Sequence, residues 1–414
     1  MRLPGGLGNV AAALSQPGYR HFVIANIVSL SGTWLQRIAV GWLAWELTHS
    51  AAWLGLLAMA DLIPPLFLAP LTGALADRHD KLRLIRVTQS AGLVQAVTLA
   101  VLAALGWLDI AGLFLLTLGL GIINAINQPA RLALMPLLVD RSMLPAAIAI
   151  NSITFNVARF IGPAIGGLVL ANGGSTLAFA LNAVTYVGFL VAIWGITVVE
   201  PPLPAGTRPS VWRDSAAGIA YAARHPAIGP IFLLMALGGF GARGMTELLP
   251  GFADRVFDRG ADGFALLMAV LGLGAVAGGL FMMLRTGGVS GLTRLVIHGS
   301  GGMGLALALF LASPGLNPAL AAIFVFGTMA VVSAISAQTL VQYAAAAATR
   351  GRTLALYGMI LTAGPALGAL IFGAFSELVG LRLAGAAGVI VTLAGWAIAW
   401  RRQAGIAGAE TTSP

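Results

Sequence analysis

Cysteine is absent from this chain of 414 residues, and charged residues are scarce. Without a thiol, neither a disulfide framework nor a thiolate metal site is available. Only 9% of the residues are charged, with Lys81 as the single lysine, whereas 58% are hydrophobic. A chain with so few polar groups cannot cover a water-soluble core of this size, so the composition excludes a conventional soluble protein.

Several functional signatures are also missing. The sequence contains no P-loop, which excludes an ATP-driven pump, and its five histidines are scattered without metal-ligand spacing. We therefore expect no enzyme activity, no metal and no cofactor. The formal net charge of +9 raises nucleic acid as a partner, but basic residues also gather in the cytoplasmic loops of membrane proteins. We expect no nucleic-acid partner.

The sequence does contain repeated apolar runs of about twenty residues, each long enough to cross a ~30 Å hydrocarbon layer as a helix. These runs are too continuous for the alternating strands of a barrel. We predict an all-α integral membrane protein with twelve transmembrane helices. The predicted spans are residues 20–47, 51–75, 84–106, 110–136, 145–171, 175–199, 227–253, 263–285, 292–312, 318–343, 353–378 and 382–400.

The positions of arginine and lysine predict the orientation, because cytoplasmic loops are rich in both. With the N-terminus inside, seventeen of the 23 basic residues fall in cytoplasmic segments and three fall in outer loops. Both termini are therefore predicted to be cytoplasmic. The N-terminus lacks a cleavable signal, so the first apolar run is expected to be a retained helix. The expected location is the bacterial inner (cytoplasmic) membrane, with multiple passes.

A polar stretch divides the chain into two halves. We predict an N-terminal six-helix bundle at 1–199, a cytoplasmic linker at 200–226, a C-terminal six-helix bundle at 227–402 and a cytoplasmic tail at 403–414. The second part of the linker predicts an interfacial helix, with a solvated linker as the alternative. GPAIGG in span five and GPALGA in span eleven indicate that the two bundles are pseudo-symmetric.

The segment GALADRHDKLRLIR, residues 73–86, concentrates charge between spans two and three. It resembles the signature loop of the major facilitator superfamily, although Asp80 and Leu82 depart from that pattern. The resemblance implies a gating loop in which Gly73 permits close packing on span eleven and Asp77 meets a helix N-terminus or an arginine. The gating residues implied are Gly73, Asp77, Arg78, Lys81 and Arg83.

Three further segments narrow the resemblance. SGTWLQRIAVGWLAWELTHSA, NQPARLALMPLLV and NVARFIGPAIGG are similar to the enterobactin-exporter and macrolide-efflux branch of drug–proton antiporters. This resemblance implies export of amphipathic or hydrophobic, drug- or siderophore-like small molecules by proton antiport with alternating access. An importer, facilitator or lipid flippase of the same fold is the alternative, and a membrane sensor or scaffold is the rival outside transport. The expected partners are a small-molecule substrate, protons and the lipid bilayer, with the protein a monomer.

Ionisable residues inside lipid spans are costly, so each is a functional candidate. Asp61, near mid-depth in span two, is the first candidate for proton coupling, and a static ion pair with Arg37 or Arg159 is the alternative. Glu247 is a second candidate for proton coupling or for anchoring a cationic substrate. The alternative is an intrahelical pair with Arg243. Glu46, near the outer end of span one, completes the proton-coupling candidates.

Other polar and aromatic side chains are candidates for lining a substrate cavity. Arg37 and Arg159 stay charged, so they would serve as counter-ions or as ligands for an anionic substrate such as a catecholate or phosphate. The full set of cavity candidates is Trp34, Gln36, Arg37, Asn124, Asn127, Gln128, Arg159 and Arg243.

Glycine–proline motifs predict bendable and closely packed helices. Proline removes a backbone hydrogen bond, and glycine permits close approach of two helices. The motif residues are Gly162, Pro163, Gly166 and Gly167 in span five and Gly364, Pro365 and Gly368 in span eleven. Ordinary membrane-helix packing explains the glycines nearly as well, but explains less well the recurrence of the Gly-Pro pair in both halves.

The outer loops carry two further features. Trp45 and Trp53 flank the first outer loop, where interfacial aromatic residues are expected. The loop between spans seven and eight is unusually charged, and we interpret it as a solvated loop. Its charges are Asp254, Arg255, Asp258, Arg259 and Asp262.

Overall fold

The computed structural model describes residues 5–198, 220, 222, 224–286, 288–346 and 349–411, and this part of the chain is helical without a strand. The earlier helices are α1 (Gly5–Ser15), α2 (Pro17–Thr48), α3 (Ala51–Arg78), α4 (Lys81–Ala104), α5 (Ile110–Leu134) and α6 (Leu144–Trp194). The later helices are α7 (Ile228–Val256), α8 (Gly260–Leu284), α9 (Leu292–Ala312), α10 (Leu316–Ala344), α11 (Arg350–Val379), α12 (Leu381–Arg401) and α13 (Gln403–Thr411).

Eleven helices of the described chain are long and apolar enough to cross a membrane. The twelve predicted spans fall on these helices because α6 contains residues 145–171 and most of residues 175–199. At Gly174 within α6, φ is 67° and ψ is −173°, a conformation that breaks the helix and that side chains with a Cβ rarely adopt. The predicted all-α integral membrane fold is confirmed, and the cytoplasmic side of the termini stays a prediction.

Two of the helices start where a side chain satisfies one of their first amides. Asp80 accepts a hydrogen bond from the Arg83 amide at 2.6 Å and begins α4, and Asp109 accepts one from the Gly112 amide at 2.8 Å and begins α5. Gly380, with φ 85°, makes the tight turn between α11 and α12. These caps and turns keep the connections short, so successive apolar helices lie side by side.

The described chain forms two compact units. Unit 1 comprises Met1–Leu43 and Ile63–Thr207, and unit 2 comprises Ala44–Leu62 and Arg208–Pro414. The boundary therefore passes through α2 and α3. The segment 44–62, which we call the first hairpin, packs with unit 2 although it precedes most of unit 1 in sequence. The division at 1–199, 200–226, 227–402 and 403–414 stays a prediction.

Unit 1 packs its helices closely around aromatic side chains. A Cβ at Gly92 of α4 would lie 2.7 Å from the Tyr186 ring of α6, so glycine is needed for this contact. Phe22 of α2 meets Phe189 of α6 edge to face, with ring centroids 6.2 Å apart, and both side chains are buried. These contacts fix α2 and α4 against the part of α6 that follows Gly174.

Unit 2 is packed in a similar way. Ser300 of α9 and Ser333 of α10 share a buried hydrogen bond of 2.8 Å between their hydroxyls. At one end of the unit, Phe310 lies between Phe252 and Phe257, with ring centroids 5.2 and 5.6 Å away. The predicted tail contains α13, and its Ile406 is fully buried in unit 2. The predicted interfacial helix in the linker lies almost entirely outside the described residues.

Candidate functional site

A buried amide network crosses unit 1 and contains Gln36, one of the predicted cavity residues. Gln36 Nε2 donates to Gln95 Oε1 at 3.0 Å, and Asn182 Nδ2 donates to Gln36 Oε1 at 2.7 Å. Gln95 in turn donates to the Leu116 carbonyl at 3.1 Å. Gln36 and Asn182 are fully buried. The network links α2, α4, α5 and α6 and satisfies the Gln36 amide at both ends, which favours a structural role over a cavity role.

Arg131 lies inside unit 1, whereas the sequence interpretation counted it among cytoplasmic charges. Its Nη1 donates to Asn26 Oδ1 at 2.5 Å, and its Nη2 lies 3.4 Å from the Ser29 hydroxyl. The guanidinium carbon sits 4.6 Å from the centre of the Phe189 ring. Within the described residues its buried Nε has no hydrogen-bond partner. Asn26 and Ser29 are three residues apart on α2 and therefore share one face of that helix. This polar pair in an apolar span is the sequence pattern that indicates the site.

The other polar candidates of α5 differ in their surroundings. Asn127 is buried and donates to the Thr88 hydroxyl of α4 at 2.6 Å. Asn124 is half-buried and Gln128 is exposed. Asn127 therefore ties α5 to α4, and only Asn124 and Gln128 keep part of their side chains open.

The aromatic and glycine candidates of α2 and α6 do lie together. The Arg37 guanidinium carbon is 5.4 Å from the centre of the Trp34 ring, and both side chains are half-buried. A Cβ at Gly162 would lie 2.5 Å from Trp34 Cβ, and one at Gly166 would lie 3.3 Å from Leu35 Cα. Pro163 and Gly167 are buried beside them. The Gly-Pro motif of span five thus permits close packing of α6 on α2.

The predicted carboxylates are in unequal environments. Asp61 is half-buried and belongs to unit 2, and Glu247 is half-buried in α7. Glu46 is exposed. The side chain of Arg159 lies outside the described residues. Asp61 and Glu247 are therefore partly shielded from their surroundings, whereas Glu46 is exposed.

Helix α7 is the most irregular span of the described chain. It runs as α-helix over Ile228–Gly238, π-helix over Gly239–Arg243 and 3-10 helix over Gly244–Leu248, and a second π segment follows at Phe252–Val256. Arg243 Nη2 donates to the Ala330 carbonyl of α10 at 2.6 Å. The change of pitch turns Arg243 toward α10 and alters the four-residue spacing on which a pair with Glu247 was based.

The irregular part of α7 is held against α11 by glycines. A Cβ at Gly368 would collide with the Phe240 carbonyl oxygen, and one at Gly364 would lie 3.3 Å from the Phe240 amide nitrogen. Pro365 lies beside Gly239, where an added Cβ would be 3.5 Å from the proline ring. The Gly-Pro motif of span eleven is therefore a packing surface for α7.

The first hairpin is fixed to α7 by a cluster centred on Trp45. Trp45 is 1% exposed, and its Nε1 donates to Asp254 Oδ2 at 2.8 Å. His49 Nδ1 lies 3.8 Å from the same carboxylate oxygen, and Arg255 donates to the His49 carbonyl at 2.7 Å while covering the Trp45 ring at 5.1 Å. Trp45 is thus enclosed by protein side chains rather than open to its surroundings, and its predicted depth at the membrane interface stays a prediction. Asp254, which is half-buried, and Arg255, which is exposed, both contact the first hairpin.

The first hairpin also contacts α11. Glu377 Oε1 accepts hydrogen bonds from the Ser50 hydroxyl at 2.8 Å and from the Ala52 amide at 3.3 Å. A Cβ at Gly55 would lie 2.5 Å from the Ala369 carbonyl oxygen, and one at Gly373 would collide with the Ala51 carbonyl. No sequence motif marks these contacts, because they join residues more than 300 positions apart.

The charged loop between α3 and α4 has a clear local role at two positions. Asp80, which departs from the family pattern, caps α4, and Arg86 Nη2 lies 3.3 Å from the carbonyl oxygens of Ile193, Trp194 and Ile196 at the end of α6. Arg78 and Arg83 are exposed and Lys81 is half-buried. A Cβ at Gly73 would meet open space, so this structure shows no close approach there, and the Asp77 side chain lies outside the description.

Polar groups are buried inside long apolar helices, and glycines permit close helix contacts in both units. These features are typical of a helical membrane protein. A bacterial homologue of the human lysosomal transporter Spinster has the same fold, with a TM-score of 0.72 at 15% identity over 95% of this chain and 98% of that chain. The nucleoside transporter NupG gives a TM-score of 0.67 at 16% identity, over 93% of this chain and 98% of that chain. The fold is that of the major facilitator superfamily, whose members are membrane transporters and not enzymes.

The chain belongs to the transmembrane secretion effector family, whose profile matches residues 9–412. It is 27% identical over 370 residues to the enterobactin exporter EntS of Shigella boydii, which covers 88% of this chain and 86% of that protein. It is 28% identical over 261 residues to the staphyloferrin A transporter of Staphylococcus aureus, covering 62% of this chain and 64% of that transporter. The resemblance inferred from the sequence motifs is confirmed: the protein is a multi-pass small-molecule transporter.

Proposed function

We propose that the protein exports siderophore-like or drug-like amphipathic small molecules across the bacterial inner membrane by proton antiport with alternating access. The observation that carries this proposal is the similarity to the enterobactin exporter along 88% of the chain. The proposal includes cytoplasmic termini, a pseudo-symmetric pair of six-helix bundles and a monomeric protein.

Half-buried arginines inside the spans support an anionic or catecholate substrate. Arg131 of unit 1 and Arg243 of unit 2 both lie inside helical spans, where Arg131 donates to an amide oxygen and a hydroxyl and Arg243 donates to a backbone carbonyl. A cation inside the membrane is costly unless it is paired or reaches a polar cavity. Each cation gives its own unit a positive field that favours substrates carrying carboxylate or catecholate groups.

The direction of transport has one specific alternative. The staphyloferrin A relative is named as a transporter without a stated direction. Import or facilitated diffusion of the same kind of substrate is therefore the second candidate function. The test uses proteoliposomes of fixed orientation in which the predicted outer side of the protein faces the lumen. Export by antiport predicts that substrate accumulates in the lumen against its own gradient only when the lumen is acidic.

Asp61 is the residue we propose for proton coupling, with Glu247 as the second carboxylate. Replacing Asp61 with Asn removes the proton-binding group at nearly constant volume, so gradient-driven transport should fall at least tenfold while substrate binding persists. The measurement is uptake of a dye and siderophore panel into proteoliposomes, with and without a pH gradient.

The matched control is Asp258→Asn, an exposed aspartate with φ 53°, a conformation that asparagine also tolerates. This variant should transport like the wild type. Full gradient dependence in Asp61→Asn would remove Asp61 from the coupling role. Wild-type uptake that ignores the pH gradient would instead contradict antiport itself.

A further inference from the structure

A polar cavity of about 310 Å³ lies at one end of unit 2, apart from the residues discussed so far. It is formed where the start of α7, the end of α12 and α13 come together. The residues around it are Arg224, His225, Pro226, Pro230, Arg402 and Gly405.

The charge of the described residues around this cavity is of one sign. Arg224 and Arg402 both line it and are exposed, and no carboxylate is among the lining residues that the structure describes. Within the described chain, neither guanidinium takes part in a side-chain hydrogen bond or an ion pair. Two cations that share one cavity repel each other, and a bound anion would offset that repulsion. The arrangement therefore favours an anionic ligand.

The frame that carries the two arginines is well packed. Ile228 and Ile406 are fully buried in one hydrophobic cluster, and Ala399 is 1% exposed in the same cluster. A Cβ at Gly405 would lie 3.9 Å from the Pro226 carbonyl oxygen, so α13 lies directly beside the start of α7. Arg402 thus lies between the buried Ala399 and Ile406, and Arg224 lies four residues before the buried Ile228.

His225 forms a wall of the cavity rather than a third charge. Its Nδ1 accepts hydrogen bonds from the amides of Ala227 and Ile228, each at 3.3 Å. Accepting these bonds requires an unprotonated Nδ1, and burial lowers the pKa of the ring. The two guanidinium groups supply the positive charge.

The cavity lies beside the ends of two helices that are long and apolar enough to cross a membrane. The candidate spans Ile228–Val256 and Leu381–Arg401 begin and end beside it. Trp400, 54% exposed and two residues before Arg402, stacks on Trp396 with ring centroids 5.6 Å apart. Exposed tryptophan at the end of a span marks the depth of the lipid headgroups. Basic pockets at this depth are suited to acidic headgroups.

We propose that this cavity binds a phosphate group through Arg224 and Arg402, with an anionic phospholipid headgroup or soluble phosphate as its source. A phosphate offers three or more acceptor oxygens, and arginine donates to such oxygens through paired N–H groups. The cavity is large enough for a headgroup phosphate with its glycerol.

The test compares purified protein in nanodiscs of phosphatidylcholine alone, in nanodiscs with added phosphatidylglycerol, and in phosphatidylcholine with inorganic phosphate in solution. Native mass spectrometry counts retained phosphatidylglycerol, and the thermal unfolding midpoint is recorded in each condition. We expect Arg224→Gln with Arg402→Gln to lower retention by about 25-fold, about fivefold for each arginine. The matched control is Arg401→Gln, an exposed neighbour that does not line the cavity and should retain the wild-type level.

Stabilisation by phosphatidylglycerol that is lost only in the double variant would support a lipid source, and the same pattern with inorganic phosphate would support a soluble one. The double Lys variant, Arg224→Lys with Arg402→Lys, should show retention between the wild-type and double Gln levels, because the charge is preserved while the paired N–H groups are lost. Equal losses in the double Gln variant and in Arg401→Gln, or no loss in either, would overturn the proposal. An unchanged unfolding midpoint in phosphatidylcholine shows that the variant is folded.

Discussion

The Nδ1 atom of His225 makes the stability of the start of α7 depend on pH. Its Nδ1 accepts from the Ala227 and Ile228 amides, which have no partner within the helix. Burial lowers the pKa of His225 from its ordinary value of 6.5, and a backbone hydrogen bond to Ala344 opposes this only in part. The folded protein therefore binds fewer protons at this site than the unfolded chain does.

Stability should consequently fall as the pH is lowered through and below about 6.5, because the unfolded chain takes up a proton that the folded site disfavours. The unfolding midpoint measured between about pH 7 and pH 5 tests this expectation. His225→Asn keeps a side-chain oxygen that can accept from the same amides without titrating, so its midpoint should vary less over that window. Identical slopes for the two proteins would assign the pH dependence to other groups.

Asp80 shows how a departure from a family pattern can be a local stabilising feature. The superfamily loop usually has glycine at this position, whereas here the carboxylate caps α4 through the Arg83 amide. We expect Asp80→Ala to reduce the free energy of unfolding by about 1 kcal/mol and Asp80→Gly by a few tenths. Asp80→Asn, which keeps a capping oxygen, should be close to the wild type. Unfolding in denaturant, followed by tryptophan fluorescence, measures all three, and equal values for Ala and Asn would rule out the cap.

At the scale of single elements, α11 carries two glycines with opposite surroundings. A Cβ at Gly368 would collide with the Phe240 carbonyl of α7, whereas one at Gly358 would meet nothing within 4 Å. The same helix therefore offers a packed position and an open one for the same substitution.

Gly368→Ala should destabilise the protein by about 1–3 kcal/mol, because backbone atoms of α7 and α11 must separate to admit the methyl group. Gly358→Ala should be neutral or stabilising by up to about 1 kcal/mol, since alanine favours the helix. Thermal unfolding of both variants in the same detergent makes the comparison. A Gly368→Ala protein as stable as Gly358→Ala would mean that α7 and α11 pack less closely than described.

The positions of the helices could be predicted from the sequence, and the path of α7 could not. Apolar runs predict spans because burial from water depends on composition, which is local. The π and 3-10 segments of α7 arise where Gly239 and Phe240 fit against Gly364 and Gly368. That fit depends on residues about 120 positions apart, so no periodicity within α7 indicates it.

At the scale of the whole molecule, the fold class and family followed from spacing and motifs, but the assignment of the first hairpin did not. Trp45, Ser50 and Gly55 look like the end of one span and the start of the next, as hydropathy alone describes them. Their partners Asp254, Glu377 and Ala369 lie in the other half of the sequence. The sequence likewise places Arg131 near a loop, because its contacts with Asn26 and Phe189 leave no trace in composition.

The contact between Ser50 and Glu377 offers a test of alternating access. In this cysteine-free chain, Ser50→Cys with Glu377→Cys gives a crosslink with no background thiols. If the first hairpin must leave α11 in each cycle, oxidation should reduce transport at least tenfold and reduction should restore it. Each single-cysteine variant, treated in the same way, is the control. Unaltered transport by the crosslinked protein would show that this contact persists through the cycle.

Because the first hairpin belongs to unit 2, expressing the two halves of the chain as separate fragments would separate it from its partners. A cut in the linker would yield a second fragment that lacks Ala44–Leu62, the segment that covers Gly251, Gly373 and Glu377. Such a fragment, expressed alone, would present uncovered backbone and a carboxylate without its donors. Co-expression of both fragments should rescue its accumulation, and so should grafting residues 44–62 onto its start. Complementation between fragments thus depends on the boundaries of the folded units and not on the position of the linker between the two halves of the sequence.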